Sequence, residues 1–146
     1  MGLNEQTIYD HDVATGFLRI DESGRVWRIA RRAGTGLHRY RRPRRAEQRK
    51  RTSYGKTYLN VRSKINGVLI ATGAQRLVWL HFNGPIPEGL EIDHFDGNPR
   101  NNHPENLEPV TTSENIRRSY ARPGRRRGGG RPRGSYGRYN RRRFSR

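Results

Sequence analysis

The segment from Ile92 to Asn115, IDHFDGNPRNNHPENLEPVTTSEN, constrains the fold more than any other part of the chain. Two short runs with apolar residues, Leu90-Glu91-Ile92-Asp93 and Leu107-Glu108-Pro109-Val110, bracket a stretch dominated by Asp, Gly, Asn and Pro. Such residues set turns, because Asn and Asp side chains bond nearby backbone and Gly takes positive φ without strain. They cannot fill a core. The pattern predicts strand, long loop, strand. Pro109 places the return strand at an edge, since proline has no amide hydrogen to give to a ladder. Thr111 and Glu114 then form a capping box that opens a helix to about Ala121, ended by Pro123-Gly124.

This scaffold places chemistry at its ends. Asp93 offers a hard oxygen ligand at the close of the first strand, and Asn115 offers an amide oxygen from the first turn of the helix. Two oxygen ligands leave positions for water and phosphate oxygens, which suits magnesium, with manganese as an alternative, better than zinc. His94 can take a proton from water as general base. Asn106, where the loop rejoins the second strand, can hydrogen-bond across the loop and hold His94 in place. Adjacent strand residues point to opposite faces, so Asp93 and His94 share a site only where the strand twists or ends, and Asp96-Gly97-Asn98 supplies such an ending. His103 is read as solvated and Asp96 as a turn cap. Together these residues read as a metal-assisted phosphodiester-cleaving site, with Arg76, Arg100, Arg117 and Arg118 as candidate contacts to DNA.

Charge supports an anionic partner. The chain carries 31 Lys plus Arg against 13 Asp plus Glu, a formal net charge of +18, and the surplus is concentrated beyond residue 116, where arginines occur with no acidic residue. A surplus of this size points to nucleic acid, the more so because it is nearly all arginine, whose planar fork matches phosphate. Residues 122–146, Arg/Gly-rich with Tyr136, Tyr139 and Phe144 interspersed, bury too little apolar surface to fold and are expected to be a disordered tail. Two roles are open to that tail: raising affinity for double-stranded DNA through counterion release, or binding single-stranded nucleic acid by stacking. The absence of Cys excludes disulfides and Cys-based zinc sites. No apolar run approaches membrane-spanning length, and the polar, acidic start is unlike a signal peptide. Intracellular action without a membrane partner is the expectation. Nothing in the residues speaks to oligomeric state.

The remaining organisation is α+β. Residues 1–15 are expected to be a flexible arm. Residues 16–73 form a β-rich, DNA-contacting region: strands at 16–20 and 25–29 around the turn Asp21-Glu22-Ser23-Gly24, a mobile basic loop at 31–53, and a hairpin of strands 57–62 and 68–71 around Asn66-Gly67. Ala74–Phe82 reads as a helix with Leu77, Val78, Leu80 and Phe82 as its apolar content and Trp79 in the core, stopped by Asn83-Gly84-Pro85.

At this point the chain resembles the HNH endonucleases of phage and homing type, which have a ββα-metal fold. The resemblance covers roughly residues 57–120 and is carried by Arg76-Leu77-Val78-Trp79, His81-Phe82-Asn83-Gly84-Pro85, Asp93-His94, Asp96-Gly97-Asn98, Asn101-Asn102, Asn106-Leu107 and Ser113-Glu114-Asn115. It implies a nuclease core at 74–121, with His94 as general base, Asn106 as the central loop-fixing residue, and Asp93 and Asn115 as metal ligands. Asn115 stands where the family name has its final His, and Gln75 where many relatives have His. The implied activity is magnesium-dependent nicking or cutting of duplex DNA. One rival is a non-catalytic nucleic-acid-binding protein on the same fold; another is an arginine-rich packaging protein, which accounts for the tail but not for residues 92–115.

Overall fold

The computed structural model describes residues 3–53 and 55–122. The expectation for the tail at 122–146 lies, beyond Arg122, outside the described residues. The chain divides into one compact unit over residues 1–112 and a second from Ser113 onward.

Among its described residues the first unit is built from three small antiparallel sheets, two α-helices and short π- and 3-10-helical turns. β1 (Leu18–Ile20), β2 (Val26–Ala33) and β3 (Gly36–Arg45) form one sheet in that order; β4 (Glu47–Arg51), β5 (Thr57–Ile65) and β6 (Val68–Gly73) form another. α1 (Leu3–Ile8) runs into a π-helical turn at Tyr9–Val13, and α2 (Ala74–Asn83) follows β6 directly. β7 (Leu90–His94) pairs with β8 (Leu107–Thr111), with His94 opposite Leu107 and Asp93 opposite Glu108. The β5–β6 hairpin turns on Asn66 and Gly67 at φ 49° and 81°, the doubly positive geometry that an Asn-Gly pair accepts. A shared core joins these parts: Ile8, Leu18, Val26, Val61, Leu77 and Val78 are almost wholly removed from water, and Ile92 and Leu107 attach the β7–β8 hairpin to the same cluster. On α2, Ala74, Leu77, Val78 and Leu80 face inward, whereas Phe82, expected among them, is 43% exposed.

Two expectations are corrected. Residues 31–53 are not a mobile loop: most of them belong to β2, β3 and β4. β3 pairs with β2 alone, and its side chains are nearly all exposed. Its backbone ladder leaves no apolar period-two pattern to read. The register slips between Arg28 and Ala30, whose partners are Arg44 and Arg39, so Pro43 falls within an irregularity that needs no amide hydrogen. Arginine stems also cover aromatic faces, with Arg44 stacked 4.7 Å over Tyr40 and Arg45 5.3 Å over Trp27.

The described residues of the expected flexible arm at 1–15, from residue 3 onward, are docked rather than flexible. Ile8 is fully buried, and polar side chains clamp the segment over long sequence separations. Glu5 receives the Arg76 guanidinium at 2.7 Å, Asp12 takes the Ser63 hydroxyl and, at 2.7 Å, His11 Nδ1, and Tyr9 Oη meets His81 Nδ1 at 3.0 Å. The docking is carried by Ile8, with Tyr9 and Val13 packed against the same core, and by a set of hydrogen bonds, which is why a largely polar sequence conceals it. Replacing Ile8 by Ala should therefore lower the unfolding free energy by about 2–5 kcal/mol in urea denaturation. A flexible arm would give a change near zero.

Candidate functional site

β7 stops at His94 because the chain turns there. Gly97 N–H donates to His94 O at 2.9 Å, and Phe95 N–H reaches Asn106 O at 2.8 Å across the loop. Ile92, Asp93 and His94 are all buried, the last two at 6% and 3% exposure. Successive buried residues mean that both faces of the strand end are covered, with Asp93 and His94 on opposite faces. The tilted rings of His94 and Tyr58 of β5 lie 6.5 Å apart, centroid to centroid. His94 Nε2 makes a 2.8 Å hydrogen bond with Asn102 Oδ1, and Asn102 is itself 4% exposed. This hydrogen bond to His94 thus comes from Asn102, whereas the Asn106 side chain bonds Asp96 and Asn101.

Asn106 holds the loop. Its Oδ1 accepts from Asp96 N–H at 3.0 Å, while its Nδ2 donates to Asp96 Oδ1 at 3.0 Å and to Asn101 O at 2.8 Å. Asp96 accepts further bonds from Asn98 N–H at 2.8 Å and from Asn101 Nδ2 at 2.8 Å. Burial works to raise the Asp96 carboxyl, but the donors from Asn101, Asn98 and Asn106 prevail and hold it below the ordinary carboxylate range. The β1–β2 turn is a second such knot. Asp21 takes Trp27 Nε1 at 2.7 Å, Ser23 Oγ at 2.7 Å, Arg25 N–H at 2.9 Å and Ser23 N–H at 3.0 Å. These outweigh its own desolvation and bring its carboxyl down to about 2.

Of the residues assigned from sequence, Asp93 and His94 end β7, and Arg100 and Asn106 lie in the loop that follows. Arg100 lines a cleft with Arg25, Arg45 and Glu47 and borders a second with Arg49. Arg76, expected at DNA, is instead turned toward Glu5 in the fold's interior. Asn115, Arg117 and Arg118 lie on α3 (Thr112–Ala121), in the unit that begins at Ser113. Within α3, Glu114 receives Arg117 Nη1 at 2.9 Å and Arg118 Nε at 3.0 Å. Sequence reasoning missed Asn102, Gly24 and Tyr58. The pair Asn101-Asn102 was visible, but neighbouring asparagines are chemically identical and spacing does not say which one meets the imidazole.

Residues 72–117 match a family described as HNH endonuclease. Protein 3.8 of Escherichia phage T7 is 53% identical over 38 residues, 26% of this chain and 31% of that protein. YosQ of Bacillus subtilis (strain 168), named as an SPbeta prophage-derived HNH homing endonuclease, is 52% identical over 41 residues, 28% of this chain and 24% of that protein. Among solved structures, that of the HNH homing endonuclease I-HmuI, described for its DNA binding and cleavage, aligns with a TM-score of 0.50 at 26% identity. It covers 73% of this chain and 53% of that one. The chain therefore spans about a quarter to a third of the curated relatives it matches. Residues 72–117 carry the HNH endonuclease motif.

The knots at Asp21 and Asp96 carry a pH signature. Both carboxyls sit lower when folded than the ordinary value of 3.8. Each therefore contributes stability that is complete above the unfolded value and is lost as pH falls through the folded one. For Asp21 the window runs from 3.8 down to about 2. Asp21→Asn should flatten the acid limb of a melting-temperature profile taken from about pH 5 to about pH 2; an unchanged limb would refute the assignment. Asn106→Ala removes the three side-chain bonds just described and should cost about 1–3 kcal/mol, read by the same denaturation.

Proposed function

We propose that the chain, whose residues 72–117 carry the HNH endonuclease motif, is a metal-dependent DNA endonuclease that hydrolyses phosphodiester bonds in duplex DNA. The observation that carries this reading is a buried carboxylate followed directly by a buried imidazole, Asp93 and His94, at a strand end closed by the Asn106 loop. It is supported by the likeness to I-HmuI and YosQ.

The donor chemistry fits a hard divalent cation. Asp93 supplies a carboxylate oxygen, and among the described residues no three His, Asp or Glu side chains gather into an all-protein cage. One carboxylate is compatible with magnesium, which retains waters and takes one or two protein carboxylates together with substrate phosphate. Asp93 and Asn115 would hold the ion. Asn115 is assigned by its place in the family motif. When bound, the ion supplies positive charge against the phosphate oxygens. His94 takes the proton of the attacking water as the new P–O bond forms. The opposite P–O bond breaks, and the departing oxygen is protonated from solvent. Asn106 keeps the loop in the conformation that presents His94.

Arg100 and the arginines of β3 and β4 are the proposed DNA contacts, joined by Arg117 and Arg118. Arg76 is reassigned to holding α1. Residues 122–146 would add non-specific affinity through counterion release. No helix among the described residues is long and apolar enough to cross a membrane.

Supercoiled plasmid with the full chain and magnesium is the test. Wild type should yield open-circle or linear DNA, EDTA should stop it, and His94→Ala should lower the rate by at least about 100-fold. Retained DNA binding with no cleavage in magnesium or manganese would replace this reading with that of a non-catalytic binding protein.

A further inference from the structure

We propose that Asn102 is a positioning residue for His94: its side-chain carbonyl fixes the imidazole as the Nε2–H tautomer, and Gly24 in the turn before β2 fixes Asn102. The catalytic consequence rests on the nuclease reading; the tautomer does not.

His94 Nε2 and Asn102 Oδ1 are 2.8 Å apart between two side chains almost entirely removed from water. A carbonyl oxygen only accepts, so the ring nitrogen facing it carries the hydrogen and the lone pair of the neutral ring resides on Nδ1. Little water reaches either group to compete with this bond. Asn102 Nδ2, by contrast, is buried and has no hydrogen-bond partner.

The backbone of Asn102 is set from the N-terminal side. Gly24 lies at φ +75°, and a Cβ there would stand 1.8 Å from Asn102 O and 2.6 Å from its carbonyl carbon. The turn therefore lies directly against the main chain of Asn102, at a distance only glycine permits. The turn is itself stiff, because Asp21 gathers Ser23 N–H, Ser23 Oγ, Arg25 N–H and Trp27 Nε1. A continuous path runs from Asp21 through Gly24 and Asn102 to the imidazole. It leaves Nδ1 as the atom that takes the proton of the attacking water, and it makes residues 21–24, far from the motif in sequence, part of the positioning of its base.

The test is NMR of the full chain without metal, at a pH where the ring is neutral, with ¹⁵N-labelled histidine. Wild type should show a slowly exchanging His94 ring proton on Nε2. Asn102→Asp keeps an acceptor and should keep that proton. Asn102→Leu keeps the volume but not the acceptor and should lose it, with kcat on plasmid reduced about 10–100-fold and KM within about twofold. Gly24→Ala should weaken the same signal. A wild-type ring protonated on Nδ1, or one whose proton exchanges freely, overturns the proposal even if a variant does not fold. A Leu variant that retains the wild-type signal overturns it as well, and a Gly24→Ala variant that does so overturns the buttress. An Nε2–H ring in a chain that cleaves nothing would support Asn102's role and remove the nuclease reading; cleavage with an Nδ1–H ring would do the reverse.

Discussion

A loop with no core of its own must be held by hydrogen bonds, and those of residues 95–106 converge on Asn106. Its carbonyl receives Phe95 N–H and its amide hydrogen goes to His103 O, while its side chain both accepts from Asp96 N–H and donates to Asp96 Oδ1 and Asn101 O. Only a carboxamide does this, since it is donor and acceptor in one plane. A carboxylate at the same position would lose both donations and repel Asp96. Because Asp96 in turn caps Asn98 and binds Asn101, one amide fixes the loop at both ends, and with it the residue at which β7 stops. Where β7 stops determines that His94 is its last residue.

The N-terminal half supplies the wall against which that loop is set. The core is small for a chain of this length, with only 30% hydrophobic residues, so the wall is assembled largely from polar contacts of high specificity. Asp21 stiffens the β1–β2 turn, Glu47 accepts Val26 N–H at 3.1 Å and binds Arg45, and Glu5 and Asp12 dock α1 and its continuation. Such contacts contribute less each than buried apolar area, but an unpaired partner is costly. That makes them better at enforcing one arrangement than at adding stability.

The parts legible in the sequence are those governed by local rules. Asn66-Gly67 marks its hairpin because few pairs accept two positive φ angles. α2 is written in apolar spacing and an Asn-Gly-Pro stop. The strand–loop–strand of 90–111 follows from turn chemistry. What was not legible depends on partners far away in sequence. β3 and β4 are solvent-facing ladders whose stability lies in backbone pairing, so Arg-rich composition reads as loop. The docking of α1 depends on Glu5 meeting Arg76 and Asp12 meeting Ser63, and neither residue announces its partner. The imidazole had three asparagines within reach, Asn101, Asn102 and Asn106. The main chain of Asn102 lies against the Gly24 turn, about eighty residues earlier, on which a local motif carries no information.

Charge is segregated in a way that bears on the chemistry. From Ile92 to Val110 the chain carries Asp93, Asp96, Glu105 and Glu108 against Arg100 alone, an acidic segment within a protein of net charge +18. An acidic loop by itself repels phosphate. The exposed arginines of β3, Arg39, Arg41, Arg42 and Arg44, form the anion-attracting surface, whereas Arg76 is engaged by Glu5. A polyanion drawn to the strands would meet repulsion at the loop unless a cation stood between them. Part of that negative charge holds the loop, through Asp96, and the rest is in keeping with the cation-dependent reaction proposed at Asp93. On the proposed reading two salt dependences would separate: attraction to the strands would be screened by monovalent salt, whereas cation occupancy next to Asp93 would be a competition for a hard oxygen site.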